Sequence, residues 1–163
     1  MINPDTPLLP SLLDRLLDEH PERQQDPPKS RAQNLATLQD SIRRDLEALL
    51  NTRQRCISPP PALTDLGTSL IEYGVPDFLS VNAASESVRE ELRAALETVI
   101  RNFEPRFKTF SVKLVEDSDQ VDRAFRFRID ALMYAEPAPE HVSFDSTLNP
   151  GNHSFSVVGR RNG

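Results

Sequence analysis

The hydrophobic pattern of this chain changes period once, and the change falls at Glu104-Pro105-Arg106. Before this triplet, apolar residues recur every three or four positions, which is the spacing of helices with one buried face. After it, they alternate with polar residues, which is typical of strands with one buried face. Helices followed by strands, without alternation of the two, predict an α+β fold. We expect N-terminal helices packed on a small, mostly antiparallel C-terminal sheet of about four strands.

Two long helices are predicted before the triplet, and each has a capping-box spacing at its start. Ser30 and Gln33 precede a helical pattern that ends near Asn51, and Ser87 and Glu90 precede a second one that ends at the triplet. In a capping box the two side chains bind backbone groups that the first turn leaves unpaired. Proline disfavours helical angles at the residue before it, so the second helix is expected to stop there.

A short helix is predicted between the two long ones, at residues 63–71. Its apolar positions are expected to face the core, and Gly74 is expected to act as a left-handed cap after it. The positions expected to be buried are Leu63, Leu66, Leu70 and Ile71.

Residues 1–28 are predicted to form a separate segment, made of an amphipathic helix and a proline-rich linker, and residues 29–163 a single α+β domain. A helix as apolar as this one is not expected to stay unpacked. It docks either on its own domain or on a partner protein, and the sequence leaves both alternatives open. The leucines that form its apolar face are Leu9, Leu12, Leu13, Leu16 and Leu17.

Four strands are predicted after the triplet, at residues 106–115, 124–134, 141–148 and 153–158, with a turn at residues 149–152. In the second strand, Phe125, Phe127 and Ile129 alternate with charged residues that must face the other way. This charged row is either an ordinary solvated sheet face or a recognition face, because arginine is enriched at interfaces. The row consists of Arg126, Arg128 and Asp130.

Composition removes several classes of function. The formal net charge of −6 argues against nucleic acid as a partner, and 5 glycines are too few for a phosphate-binding loop to be expected. The single cysteine, Cys56, excludes an internal disulfide framework, and no cluster has metal-ligand spacing. No apolar run reaches the ~18–20 residues of a membrane span, and MINPDTPLLP lacks a signal-peptide pattern. We expect a cytoplasmic protein without membrane insertion, cofactor or metal.

Glu104 and Arg106 have three interpretations: parts of an active site, a salt bridge at a helix end, or a contact for another protein. A glycosidase needs two carboxyl groups roughly 5–9.5 Å apart, one of which holds its proton. An arginine as close as Arg106 favours the ionised carboxylate instead. The chain also has no tryptophan and only 2 tyrosines to stack against sugars. We therefore predict no catalytic residue.

Several stretches taken together resemble one family, the TssE baseplate subunits of the type VI secretion system, which belong with the contractile-phage wedge proteins. They cover nearly the whole chain in order. The stretches are LLPSLLDRLLD, LQDSIRRDLEALLNTR, SLIEYGVPDF, IRNFEPRF, FRFRIDALM and EPAPEHVSFDSTL.

The resemblance implies a structural baseplate component at the inner face of the cell envelope. Its implied partners are the wedge proteins TssF and TssG, with TssK as a further candidate, and the sheath subunits TssB and TssC. It also implies that the Glu-Pro-Arg triplet contributes to sheath attachment. Our own hypothesis is that the N-terminal leucine helix docks on the wedge. The predicted partner-binding residues are Glu104, Pro105, Arg106, Arg126, Arg128 and Asp130.

Two alternatives follow from the same resemblance. A distant member, IraD, binds a response regulator, so a regulatory binding module is one alternative. The family is also often labelled lysozyme-like, so a peptidoglycan hydrolase is the other.

Overall fold

The computed structural model describes residues 11–17, 21–22, 30–56, 60, 62–77, 86–115, 124–135, 138–149, 151–152 and 154–160. Most of the predicted linker between residues 18 and 29 therefore lies outside the described residues. Helices come first and strands last, so the fold is α+β as predicted. The elements are α1 (Leu12–Leu16), α2 (Arg31–Asn51), a 3-10 helix (Thr64–Thr68), α3 (Glu86–Phe103), β1 (Phe107–Val115), β2 (Phe125–Met133), β3 (Glu140–Asn149) and β4 (Ser154–Arg160).

The long helices begin and end close to the predicted positions. The capping box of α2 is confirmed, because Ser30 Oγ accepts from the Gln33 backbone N–H and Gln33 Oε1 accepts from the Ser30 N–H. The predicted cap of α3 is wrong, since Ser87 lies inside a helix that already includes Glu86. No helix in the described part of the chain is long and apolar enough to cross a membrane.

The four strands form one antiparallel sheet in the order β1-β2-β3-β4. Consecutive strands are neighbours, so β1 and β4 are the two margins of the sheet. The register of β1 on β2 shifts between Phe107 and Thr109, which marks a bulge at the start of β1.

The core lies between one face of the sheet and the two long helices. The predicted alternation in β2 is confirmed, because Phe127, Ile129 and Ala131 are buried on this face. Packing of α2 on β4 and of α3 on β1 places the helices over the two outer strands. The other buried apolar residues of the core cluster are Leu38, Ile42, Leu46, Leu49, Leu50, Val75, Leu92, Leu96, Val99, Ile100, Phe107, Val112, Met133, Val142, Phe144, Leu148, Phe155 and Val157.

The short helix predicted at residues 63–71 is wrong in length and orientation. Only a 3-10 turn forms, and it ends at Thr68, where Ser69 Oγ donates to the Leu66 carbonyl (2.8 Å). Leu70, which was expected to be buried, is 85% exposed. Gly74 has a positive φ of 111°, and its role is close approach: a Cβ there would lie 2.5 Å from the Thr52 carbonyl oxygen.

Candidate functional site

The Glu-Pro-Arg triplet connects the end of α3 to the start of β1. Glu104 still donates its backbone N–H to the Ile100 carbonyl (2.9 Å), as the residue after a helix does. Arg106 already behaves as part of the sheet, because its carbonyl accepts the backbone N–H of Tyr134 after β2 (2.9 Å). Proline ends the helix, and the chain enters the sheet within three residues, as the sequence predicted.

Glu104 and Arg106 form a bidentate ion pair. Arg106 Nε lies 2.6 Å from Glu104 Oε1, and Arg106 Nη2 lies 2.5 Å from Glu104 Oε2. The Arg106 backbone N–H also donates to Oε1 (3.2 Å). Glu104 is only 4% exposed, so its carboxylate depends on these three donors. Both of its oxygens are occupied, which is the arrangement of a structural ion pair.

Helix α2 provides two further partners for Arg106. Asp45 Oδ2 lies 2.9 Å from Nη2, and Ser41 Oγ accepts from Nη1 at 3.4 Å. Burial lowers the pKa of Arg106, but Glu104 and Asp45 outweigh this and raise it overall. Of the five N–H groups of a guanidinium, these contacts leave one unused. Arg106 is thus a fixed cation that joins α2 to the junction between α3 and β1.

The surface beside this ion pair is partly apolar. Pro105 is exposed, and Tyr134, at the end of β2, has 59% of its surface exposed. The Arg106 side chain keeps 25% of its surface in solvent. A partner that reaches this corner meets an arginine flanked by proline and tyrosine, whereas Glu104 lies beneath them.

The leucines of α1 and its C-cap whose side chains the structure describes point outward. Leu13, Leu16 and Leu17 are 55%, 81% and 53% exposed. Asp14 faces α2, where its carboxylate accepts from Ser41 Oγ (2.5 Å) and pairs with Arg44. Leu9, and the side chain of Leu12, lie outside the described part of the structure.

The Asp14 carboxylate accepts hydrogen bonds from the side chains of Ser11, Ser41 and Arg44. Its own N-cap, Ser11, donates a hydroxyl hydrogen bond (2.6 Å) and closes a capping box. Burial raises the pKa of Asp14, but the hydrogen bonds from Ser11, Ser41 and Arg44 lower it to about 2. The carboxylate is therefore ionised at neutral pH and anchors α1 to α2.

The charged row of β2 lies on the face that the helices leave open. Arg128 Nε lies 3.0 Å from Asp145 Oδ1 on β3. Asp130 accepts from Lys113 Nζ on β1 (3.0 Å) and from the Ser143 hydroxyl on β3 (2.8 Å). Burial raises the pKa of Asp130, but these donors and the charge of Arg128 lower it overall. Arg126 lies in the same row at a half-buried position.

The residues predicted to bind partners therefore belong to two separate places. Glu104 and Arg106 contact α2 on the helix-covered side, while the β2 row points away from the helices. The sequence did not single out Ser41 and Asp45 as part of the first place. Their spacing of four residues puts them on one face of a helix, and this was the available signal.

The β4 margin of the sheet is capped by α2. Asn51, the last residue of α2, accepts the backbone N–H of Phe155 (2.8 Å) and donates to the Phe155 carbonyl (2.9 Å). Arg43 makes a longer contact with the next outward-facing carbonyl, that of Val157 (3.5 Å). These contacts satisfy backbone groups that an incoming strand would otherwise bind.

The β1 margin lacks such caps among the residues that the structure describes. Successive residues of an antiparallel strand direct their backbone N–H and C=O groups to opposite sides. Because the backbone groups of Phe155 point outward from β4, the pairing of the four strands determines which residues of β1 point outward. On β1 the outward backbone groups belong to Phe110, Val112 and Leu114. No described side chain binds these groups.

The described residues form no candidate metal site. No group of three or more His, Cys, Asp or Glu side chains within the described ranges is arranged to hold a metal ion.

Comparison with known proteins relates the chain to one family. A solved structure described as "The baseplate complex from the type VI secretion system" aligns with 69% of this chain and 94% of the other, at 17% identity and a TM-score of 0.48. No curated protein matches the chain. The family model described as "Baseplate wedge protein gp25" matches residues 36–138, from α2 to beyond β2. This match covers more than half of the chain and includes the Glu-Pro-Arg triplet, so the protein belongs to the baseplate wedge protein gp25 family.

Proposed function

We propose that this protein is a structural wedge subunit of a type VI secretion baseplate, acting in the cytoplasm at the inner face of the envelope. In this proposal it joins TssF and TssG, with TssK as a further candidate partner, and receives the first TssB and TssC sheath subunits. Membership in the baseplate wedge family supports the structural role. The resemblance of its sequence to TssE proteins supports the type VI assignment.

The difference between the two sheet margins carries the sheath part of the proposal. Asn51 caps Phe155 at the β4 margin, whereas no described side chain caps the outward groups of β1. Strand addition to an open margin supplies a row of backbone hydrogen bonds. We therefore assign β1, between Phe110 and Leu114, as the strand that receives a strand from the sheath.

The Glu104–Arg106 pair lies at the beginning of this strand. Backbone pairing alone discriminates poorly between partners and registers, so a fixed charge at one end adds specificity. Arg106 is the more exposed member of the pair, with 25% of its side-chain surface in solvent, and Glu104 and Asp45 hold its guanidinium in place. An acidic or carbonyl-rich end of the incoming strand fits this position.

The outward leucines of α1 are proposed as the contact with the wedge. Leu13, Leu16 and Leu17 are more than half exposed and lie on one short helix. Burial of a leucine side chain stabilises a complex by roughly 1.5–3 kcal/mol, so an apolar groove on TssF or TssG fits this surface. We expect no enzymatic turnover, because the buried carboxylate of Glu104 is fully engaged by Arg106.

Proline substitution at the open margin tests the proposal. The outward N–H of Leu114 makes no bond within the described sheet, so Leu114→Pro removes a donor that only an added strand would use. Gly159→Pro is the matched control, because Gly159 has the same outward direction on β4, near the capped groups, and open space around it. Each variant replaces the wild-type protein in cells, and assembled sheaths are counted.

We expect Leu114→Pro to abolish most sheaths and Gly159→Pro to retain them, with both purified variants folded by circular dichroism. Normal sheath numbers with folded Leu114→Pro would exclude β1 as the receiving strand. Copurification with a response regulator instead of wedge and sheath proteins would favour the regulatory alternative. A cell-wall zymogram band that Glu104→Gln removes would favour the hydrolase.

A further inference from the structure

The Asp14 carboxylate holds α1 on α2, whereas the three leucines whose side chains the structure describes, Leu13, Leu16 and Leu17, face solvent. The Asp14 side chain is only 8% exposed, while three of the leucines around it are more than half exposed. The carboxylate is bound by the Ser41 hydroxyl and by the guanidinium of Arg44, both on α2. A helix of five residues does not persist in water without such an anchor.

The anchor is connected to the Glu104–Arg106 pair through shared side chains. Ser41 is buried, donates to Asp14 and accepts from Arg106 Nη1 (3.4 Å). Ion pairs make a second connection. Arg44 Nε lies 3.8 Å from Asp45 Oδ1, and Asp45 Oδ2 lies 2.9 Å from Arg106 Nη2. Hydrogen-bonded charges in one network influence each other's position.

We propose that Asp14 is a positioning residue that couples the docking of α1 to the placement of Arg106. Displacement of α1 removes the acceptor of the Ser41 hydroxyl and the anionic partner of Arg44. Both groups then turn to the carboxylate of Asp45 and compete there with Arg106, which changes the orientation of the Arg106 guanidinium. Coupling of this kind is reciprocal, so a change at Arg106 also alters the docking of α1.

This coupling gives the two proposed contact surfaces a means of communication. Under the proposed function, a wedge protein that binds the leucines of α1 changes the corner that meets the sheath. Only this communication between the wedge contact and the sheath contact rests on the proposed function. The coupling itself is a property of the isolated chain and is tested without any partner.

Tryptic cleavage after Arg15 measures the docking of α1 in the full-length protein, because a docked helix is a poor protease substrate. The rate of this cleavage is divided by the rate of tryptic cleavage after Arg93 in α3, so that the contribution of global unfolding to both rates cancels. We expect Asp14→Asn to raise this ratio about tenfold, as loss of a charge-assisted hydrogen bond predicts. Asp40→Asn is the control, since Asp40 is an exposed acid next to Ser41.

Arg106→Lys tests the coupling, because lysine keeps the charge and loses the planar fork that binds Glu104, Asp45 and Ser41 together. We expect it to raise the cleavage ratio about threefold alone and to add nothing to Asp14→Asn. We also expect Asp14→Asn, but not Asp40→Asn, to shift the Arg106 Nε–H resonance in nitrogen-15 NMR spectra.

Two results overturn the inference, whatever happens to the proposed function. An unchanged cleavage ratio in Asp14→Asn shows that the carboxylate is not the anchor. If the effects of Asp14→Asn and Arg106→Lys multiply and the Arg106 resonance stays in place, the two sites are independent. Loss of sheath assembly or its retention bears on neither readout.

Discussion

Glu104 and Arg106 have different positions with respect to solvent, although they form one ion pair. Glu104 is buried and both of its oxygens bind Arg106, so a partner protein reaches the arginine and not the acid. Under the proposed function, Glu104 therefore acts on a partner only through the guanidinium that it holds. Substitution of either residue is expected to weaken a contact at this corner, for different reasons.

Glu104→Gln is predicted to destabilise the fold by roughly 1–3 kcal/mol, because it leaves a half-buried guanidinium with a weaker acceptor. Urea unfolding followed by circular dichroism measures the change. Glu47→Gln serves as the control, since Glu47 forms a more exposed pair with Arg43 (2.9 Å), and less than ~1 kcal/mol is expected there. Equal losses in the two variants would show that Glu104 gains nothing from its burial.

Ser146 is a buried polar residue whose hydroxyl has no hydrogen-bond partner in the described structure. It is 1% exposed and lies on the core face of β3. Ser146→Ala is predicted to stabilise the protein by about 1 kcal/mol, because a desolvated hydroxyl is removed without loss of a bond. Thermal unfolding should show a midpoint about 2–4 °C higher.

Ser143→Ala in the same strand is the control for this prediction. Its hydroxyl donates to Asp130 (2.8 Å), so the substitution should cost about 0.5–1.5 kcal/mol. If both variants lose stability to the same extent, the Ser146 hydroxyl has an acceptor after all.

At the scale of elements, the end of α2 determines which sheet margin is closed. The Asn51 side chain binds the Phe155 backbone twice and also donates to the Glu47 carbonyl (2.8 Å). A single amide thus caps a helix and a strand. Leucines along α2 pack on the core, whereas Asn51 and Arg43 line its contact with the outer backbone of β4.

Asn51→Ala is predicted to destabilise the protein by roughly 1–3 kcal/mol and to promote self-association, because the backbone groups of Phe155 become available to another strand. Thermal unfolding and analytical ultracentrifugation measure the two effects. Thr37→Ala is the control: it removes a hydrogen bond on the exposed face of α2, from Thr37 Oγ1 to the Gln33 carbonyl (2.9 Å), and should remain monomeric. A stable, monomeric Asn51→Ala variant would contradict the capping role.

The elements that the sequence predicted well are those whose pattern has a single physical reading. A change of period at a proline separates α3 from β1, and alternation over nine residues defines β2. The helix predicted at residues 63–71 does not form although the apolar spacing is helical, because the Ser69 hydroxyl binds the Leu66 carbonyl and the Ile71 N–H. Local spacing does not reveal such competition.

The candidate site was predictable only in part for the same reason. The triplet itself stands out in the sequence, but its α2 partners lie about 60 residues away and depend on packing. The leucine stripe of α1 left open whether this helix docks on its own domain or on a partner. In the structure Leu13, Leu16 and Leu17 face solvent, while Asp14 binds a hydroxyl and a guanidinium on α2, which the sequence alone does not reveal.

At the scale of the whole molecule, the sheet separates two kinds of surface. The helix-covered side holds the core and the Glu104–Arg106 pair, and the open side carries cross-strand pairs such as Arg128–Asp145 (3.0 Å). Opposite charges facing each other across strands stabilise a sheet modestly. The open side therefore contributes little to stability, which makes it suitable for testing recognition apart from folding.

Arg128→Gln is the substitution that tests whether this open side also contacts a partner. Arg128 binds Asp145 through Nε, so other N–H groups of its guanidinium remain available to a partner carboxylate. We expect stability to change by less than ~1 kcal/mol, because the pair is partly exposed, and the number of assembled sheaths to fall. Lys113→Gln, on the same face and paired with Asp130, is the control for loss of one surface charge. Sheath numbers that fall equally in both would indicate an effect of net charge, and unchanged numbers would make the row an ordinary solvated face.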